Sequence, residues 1–278
     1  MAALLSVMVL VLVSHAAVMA ARADDSAMLR FDLPSSQVAA GLPRIDGPAD
    51  PARPLVVIDA GHGGFDPGAG QGALREKDVA LAIAKAVRAG LLAQGGIRVA
   101  LTRDTDRFVS LRDRPEIARR LNADLFISIH ADSAPEDTAR GASVYALSEK
   151  GSDEAAQRFA ASDAQNGRIN GVALSHLDNG VGSILLDLSQ RGAQAQSARM
   201  GSILLRELDG KVGLHRNDVQ TAALAVLKAP DIPSILFETG YINNPQDAAF
   251  LGSVQGRDMI ADAVVRSIRI YFATKSGL

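Results

Sequence analysis

The chain has 278 residues, which is enough for one sizeable α/β domain. Its 29 Lys and Arg residues nearly balance 31 Asp and Glu residues, and this net charge of −2 without a basic block argues against nucleic acid as a partner. Because the chain has no Cys and no Trp, thiol nucleophiles, thiolate metal sites and disulfides are excluded, and any chemistry must use oxygen groups and imidazole. An aromatic content of 4% also argues against a module that binds sugars by ring stacking.

The first 23 residues predict an export signal. Residues 1–21 form one apolar run, and no charged residue precedes Arg22. The small residues Ala21 and Ala23 occupy the positions that a signal peptidase recognises, so we expect cleavage after Ala23. The alternative is that the apolar run remains as a membrane anchor.

Residues 24–54 are expected to form a linker before a domain at 55–278. Prolines are dense in this segment, and proline interrupts both helices and strands. The prolines are Pro34, Pro43, Pro48, Pro51 and Pro54.

Apolar runs typical of buried strands alternate with helical periodicity along the rest of the chain. The expected strands cover 55–60, 97–102, 124–130, 141–148 and 233–238. The expected helices cover 77–94, a segment opened by Ser110 and Asp113, 181–208 and 254–272. The alternation predicts an α/β fold with a mostly parallel central sheet flanked by helices.

Polar side chains stand where three of these strands end. His62 follows the first strand, His130 ends the 124–130 strand, and Glu238 ends the 233–238 strand. Because open α/β sheets bind ligands at the carboxyl ends of their strands, we expect these side chains to lie at one edge. Glu76 comes fourteen residues after His62 and opens the next helix, so its carboxylate can fold back beside the imidazole.

Two histidines and one carboxylate are a standard ligand set for catalytic zinc, with the fourth position open to water. Zinc lowers the pKa of such a water to about 7, and the carboxylate that does not bind the metal can then act as a base. Metal-free interpretations remain for each residue. A histidine at a strand end is usually structural, and Glu76 at a helix N-terminus is favoured by the helix dipole.

Four segments stand out in chain order: Val57–Gly64 (VIDAGHGG), Leu74–Asp78 (LREKD), Ser128–Asp132 (SIHAD) and Leu227–Gly240 (LKAPDIPSILFETG). Together they resemble the zinc-dependent N-acetylmuramoyl-L-alanine amidases, which split bacterial cell-wall peptidoglycan. The likeness is to the amidase_3 family and spans roughly residues 55–272.

This resemblance implies roles for the strand-end residues. His62, Glu76 and His130 would bind Zn²⁺, and Glu238 would be the catalytic carboxylate. The implied reaction is hydrolysis of the amide between the lactyl group of N-acetylmuramic acid and the L-alanine of the stem peptide. The implied setting is an exported, periplasmic enzyme, which we expect to be a monomer.

Residues 149–214 are helical in pattern but interrupted by glycine, and we interpret them as a helical insertion near the active site. They resemble the insertion of Gram-negative cell-division amidases, in which a helix blocks the zinc site until a LytM-type activator displaces it. That implies autoinhibition by a carboxylate. Asp163 is the nearest match and Glu154 the second, although an exposed helix position is the favoured interpretation of Asp163.

Asp59 and Asp132 lie beside the candidate ligands. Each is a candidate to orient an imidazole from behind the metal, and capping of a local turn is an equal alternative.

Two other functions remain in view. One is a zinc peptidase that cuts within stem peptides, because its metal chemistry would be nearly the same. The other is an inactive module that only binds the cell wall.

Overall fold

The computed structural model describes residues 41–135, 138–163, 168–169, 172–173 and 179–275. Their strands are β1 (Ile45–Asp46), β2 (Leu55–Ala60), β3 (Gly70–Gln71), β4 (Leu74–Arg75), β5 (Arg98–Leu101), β6 (Leu125–His130), β7 (Ser143–Leu147), β8 (Arg168–Ile169), β9 (Val172–Ala173), β10 (Gln220–Ala222) and β11 (Ser234–Glu238). Their helices are α1 (Glu76–Gln94), α2 (Asp113–Arg120), α3 (Glu149–Asp163), α4 (Asn179–Leu208), α5 (Pro245–Gly252) and α6 (Val254–Lys275), with a 3-10 helix at Ala225–Leu227.

Seven of these strands form one sheet in the order β1-β5-β2-β6-β11-β7-β10. The central strands β5, β2, β6 and β11 are parallel to one another, whereas β1 and β7 pair antiparallel with β5 and β11. The predicted mostly parallel sheet flanked by helices is therefore confirmed.

Helices cover both faces of the sheet, which explains why its central strands read as continuous apolar runs. Along β2, Val56 and Ile58 pack with α1, α4 and α6 in the larger core cluster. Val57 points to the other face and joins the smaller cluster with α2 and the 3-10 helix. Because successive side chains of a strand point to opposite faces of the sheet, this apolar strand contributes to both core clusters.

The register of the central strands brings their carboxyl ends to one edge. Glu238 of β11 pairs with His130 of β6, and Ala60 of β2 pairs with Ile129 of β6. The chain leaving β2 stays attached there, because the Gly61 amide donates to the Ile129 carbonyl at 2.9 Å. The functional residues are therefore carried on rigid, paired backbone.

The described part of the predicted linker holds a strand. Ile45 and Asp46 form β1 at the edge of the sheet, opposite Ala100 and Val99 of β5. The four residues between Pro43 and Pro48 keep their N–H groups, so a short edge strand can form there despite the prolines on either side. The predicted signal at 1–23 lies outside the described residues. No helix in the described ranges is long and apolar enough to cross a membrane.

The predicted helical insertion contains α3, the β8–β9 hairpin and the 30-residue α4. The glycines that interrupt its pattern do not end α4. At Gly201, a Cβ atom would lie 2.8 Å from Val219 and 3.1 Å from Val144, so the missing side chain lets the helix pack closely against neighbouring chain. Tertiary packing here outweighs the low helix propensity of glycine.

Candidate metal centre and catalytic site

His62 stands just beyond the end of β2 in a strained backbone conformation. Its φ is +59°, in the left-handed region, which costs a residue with a side chain about 1–2 kcal/mol. The imidazole Nδ1 lies 2.8 Å from an Asp66 carboxylate oxygen, and Nε2 lies 3.1 Å from Oε2 of Glu76. Because Asp66 holds Nδ1, the Nε2 atom is the one presented to a ligand.

Glu76 is the first residue of α1, and the β3–β4 hairpin leads the chain into it. Its buried carboxylate lies between two imidazoles: Oε2 approaches His62, and Oε1 lies 2.9 Å from Nδ1 of His130. Backbone amides also donate to it, from Ala69 at 2.9 Å and from Ala131 at 3.1 Å. The carboxylate is thus held in a fixed orientation by four groups.

His130 ends β6 and is nearly buried. One potential ligand atom from each of His62, Glu76 and His130 lies within 4.8 Å of the others. The Nε2 atom of His130 is buried and has no hydrogen-bond partner among the described residues. A buried polar atom without a partner is costly, and a metal ion would remove that cost. The two imidazoles and one carboxylate therefore fit a zinc ion.

Two glycines leave room for these side chains. A Cβ atom on Gly61 would lie 2.4 Å from the His130 ring, and one on Gly68 would lie 2.5 Å from Oε2 of Glu76 and 2.7 Å from His62. Real Cβ atoms do not approach other atoms so closely. The glycine-rich loop at 61–72 is thus shaped around the three side chains.

Glu238 ends β11 beside His130 and is partly exposed. Its Oε2 atom accepts a hydrogen bond from the Asp132 amide at 3.1 Å. Desolvation, together with the negative charges of Glu76 and Asp132, outweighs the opposing effects of His130 and the Asp132 amide and raises the pKa of Glu238 to about 7. A carboxylate with that pKa can both accept and donate a proton near neutral pH.

Glu76 has the opposite electrostatic environment. Burial favours its neutral form, but the hydrogen bonds and charges of His130 and His62 outweigh burial and hold its pKa well below the usual range. Burial likewise disfavours the charged form of each imidazole, yet Glu76 raises the pKa of both. The carboxylates of Glu76 and Glu238 thus differ in proton affinity, which is typical of two groups with different chemical roles.

The two aspartates beside the ligands have different surroundings. Asp59 is fully buried and accepts hydrogen bonds from Arg114, Thr102 and Ser128. Burial raises its pKa, but Arg114 and the two hydroxyls outweigh burial and lower it. The Asp132 carboxylate accepts from the Ser133 amide, which is the turn-capping alternative.

The imidazole of His62 is oriented by Asp66, which the sequence reasoning did not single out. The sequence signal that indicates this role is a carboxylate four residues after the histidine. In the structure, reciprocal backbone hydrogen bonds between Gly63 and Asp66 close the turn between them, and the Asp66 side chain reaches His62. Two buried arginines, Arg103 and Arg114, were also missed. They sit in polar stretches, and no sequence pattern indicated that they are buried.

The two regulatory candidates both lie in α3. Glu154 in α3 forms an ion pair with Lys228. Asp163 is the last residue of α3, and its side chain lies outside the described part of the structure.

Comparisons with known proteins identify the family of the chain. Residues 56–269 match the family model described as N-acetylmuramoyl-L-alanine amidase, Amidase_3. The amidase AmiA of Salmonella typhimurium is 42% identical over 221 residues, which cover 78% of this chain and 76% of that protein. AmiC of Escherichia coli is 40% identical over 237 residues, which cover 84% of this chain and 56% of that protein.

The solved structure of N-acetylmuramoyl-L-alanine amidase AmiC2 of Nostoc punctiforme aligns with a TM-score of 0.56 at 33% identity. The alignment covers 79% of this chain and 97% of that one. The resemblance found in the four sequence segments is confirmed: the chain belongs to the Amidase_3 family of N-acetylmuramoyl-L-alanine amidases.

Proposed function

We propose that the protein is a zinc-dependent peptidoglycan amidase that hydrolyses the bond between the lactyl group of N-acetylmuramic acid and L-alanine. His62, Glu76 and His130 would hold the zinc ion, and Glu238 would be the general base. The observation that carries this proposal is the His62–Glu76–His130 cluster beside Glu238, in a chain of this family. The identity of the cleaved bond is taken from the names of its relatives, which are called N-acetylmuramoyl-L-alanine amidases.

Each residue has a separate task in this proposal. A bound zinc ion supplies Lewis acidity and lowers the pKa of a water in its open position. Glu238 accepts the proton from the attacking water and returns it to the leaving amine, for which a pKa of about 7 is suited. Asp66 keeps Nδ1 of His62 engaged, and Glu76 is fixed by the Ala69 and Ala131 amides. Little rearrangement is then needed during turnover.

The decisive experiment is digestion of purified sacculi, with the products identified by mass spectrometry. We expect intact stem peptides carrying a free L-alanine amine, loss of activity with a zinc chelator, and recovery when zinc is added. Shortened stem peptides would instead identify a peptidase. A zinc-loaded, folded protein that binds sacculi without releasing any product would identify a binding module, provided that the variant with residues 153–180 replaced by a linker also releases none.

The proposed function also implies where the protein acts and which residues form its catalytic domain. A peptidoglycan substrate places the enzyme in the periplasm, and residues 1–23 would be the signal that exports it. The catalytic domain would cover 55–278, with β1 added to its sheet from the preceding segment.

We also propose that the insertion at 149–214 restrains the enzyme until a LytM-type activator binds. The support is an apolar stripe near the start of α4, formed by Val181, Ile184 and Leu188, whose exposed fractions are 50%, 62% and 62%. The stripe follows helical spacing and stays in solvent, which favours a protein partner.

Replacing residues 153–180 by a short glycine-serine linker tests this restraint. If the insertion blocks the site, the basal rate on sacculi rises at least about tenfold, since the metal ligands and Glu238 lie outside the removed segment. Zinc content and circular dichroism would show whether the variant is folded and loaded. An unchanged or lower rate in a folded, zinc-loaded variant would contradict the restraint without affecting the proposed chemistry.

A further inference from the structure

Two arginines that take no part in the proposed chemistry are buried behind the metal centre. Arg103 follows β5 and Arg114 lies in the first turn of α2, and their exposed fractions are 0% and 1%. Arginine is almost never so deeply buried unless its donors are bonded. Where these donors go therefore indicates what the side chains hold in place.

Both guanidinium groups bind the backbone that carries His62. Arg103 donates to the Ala60 carbonyl at 2.9 Å and to the Gly61 carbonyl at 2.7 Å. Arg114 donates to the Ala60 carbonyl at 2.7 Å and to the His62 carbonyl at 2.8 Å. Three consecutive carbonyls are thus held by the two guanidinium groups.

The other bonds of these arginines anchor them to separate parts of the fold. Arg103 also donates to the Lys77 carbonyl at 2.8 Å, in the first turn of α1 that begins with Glu76. Arg114 donates to Oδ1 of Asp59 and to the Val109 carbonyl, both at 2.8 Å. Arg103 therefore links the backbone beside two of the three candidate zinc ligands.

His62 has a left-handed backbone conformation, and it is held from two directions: Asp66 binds its imidazole, and Arg114 binds its carbonyl. The adjacent Gly61 lies close against the His130 ring, since a Cβ atom there would be 2.4 Å from it. A bond to the His62 carbonyl fixes the peptide plane that follows the strained φ of +59°. Releasing that carbonyl would let the residue relax and would turn the imidazole away from Glu76.

We infer that Arg114 and Arg103 are positioning residues that hold His62 in its metal-binding conformation. Together they form a clamp on the carbonyls of Ala60, Gly61 and His62. This inference rests on the proposed function, since it takes His62 to be a zinc ligand. It assigns the two buried charges to the metal site and goes beyond a role in general stability.

The test compares two Arg-to-Lys changes in the same helix. Arg114→Lys keeps a positive charge beside Asp59 but cannot span the Ala60, His62 and Val109 carbonyls together. Arg119→Lys is the matched control, because Arg119 is also in α2 and is paired with a carboxylate, Asp231, at 3.0 Å. Its guanidinium forms ion pairs with Glu116 and Asp231.

The measurements are the zinc dissociation constant of the full chain, by competition with a chromophoric chelator, and the absorption spectrum of the Co²⁺-substituted protein. We expect Arg114→Lys to weaken zinc binding by about 10- to 100-fold and to alter the cobalt bands, with Arg119→Lys unchanged in both. The melting temperatures of the metal-free proteins show whether both variants fold. Equal zinc affinities and spectra for the two variants would overturn the clamp.

Arg103→Lys provides a second test if Arg114→Lys fails to fold. It loses the paired bonds to Gly61 and Lys77 and is expected to weaken zinc in the same range. His62→Ala in an otherwise unchanged chain separates the two proposals. If His62→Ala abolishes zinc binding while both arginine variants bind zinc normally, the proposed ligand set stands and the clamp is wrong.

Discussion

Replacing Glu238 by Gln is expected to lower kcat on sacculi by about 10²- to 10⁴-fold while leaving zinc bound, since an amide cannot accept the proton of the attacking water. The change keeps the size of the side chain and the acceptor oxygen that the Asp132 amide uses. Glu238 is also outside the cluster of candidate metal ligands. Zinc content and the melting temperature should therefore stay close to those of the unmodified protein.

Asp132→Asn is the matched control for this prediction. Its backbone amide, which donates to Glu238, is retained, and its side chain serves the Ser133 turn. We expect its kcat to fall by no more than a few-fold. If Glu238→Gln retained full turnover, the assignment of the base would be wrong. If Asp132→Asn lost as much as Glu238→Gln, the base would have to be shared between the two carboxylates.

The sheet was predictable from the sequence, as was the position of its strand ends at one edge, because both follow from short-range patterns. An apolar run is buried on both faces, and parallel strands deliver their last residues to one edge. His130 and Glu238 are placed by that rule, and their paired register agrees with it. The predicted position of Glu76 beside His62 requires the loop between them to fold back. The spacing of the two residues permits that fold but does not require it.

The surroundings of the site could not be predicted because they depend on contacts distant in sequence. Arg114 is 52 residues from the carbonyl of His62 that it binds, and Arg103 is 42 residues from that of Gly61. In the sequence, each arginine resembles a residue of an exposed loop or helix. The short strand β1 was missed for a related reason, since its pairing with β5 comes from the sheet and not from its own composition.

Gly68→Ala is expected to reduce zinc affinity by about 100-fold, since it displaces two of the candidate ligands. The added Cβ would lie 2.5 Å from Oε2 of Glu76, 2.7 Å from the His62 ring and 2.8 Å from Cβ of Glu76. The last of these atoms is fixed by α1, so relief must come from movement of the candidate ligands. The readouts are the zinc dissociation constant and the rate on sacculi at saturating zinc.

Gly72→Ala is the control that distinguishes the effect of steric overlap at Gly68 from the effect of backbone strain. Gly72 has a φ of +58°, close to the +64° of Gly68, yet a Cβ there would meet nothing within 4 Å. Both variants carry the same cost of placing alanine in the left-handed region, about 1–2 kcal/mol, so a similar loss of stability is expected from each. Only Gly68→Ala should also lose zinc affinity. Equal zinc affinities in the two variants would mean that His62 and Glu76 are not held against this loop when the metal binds.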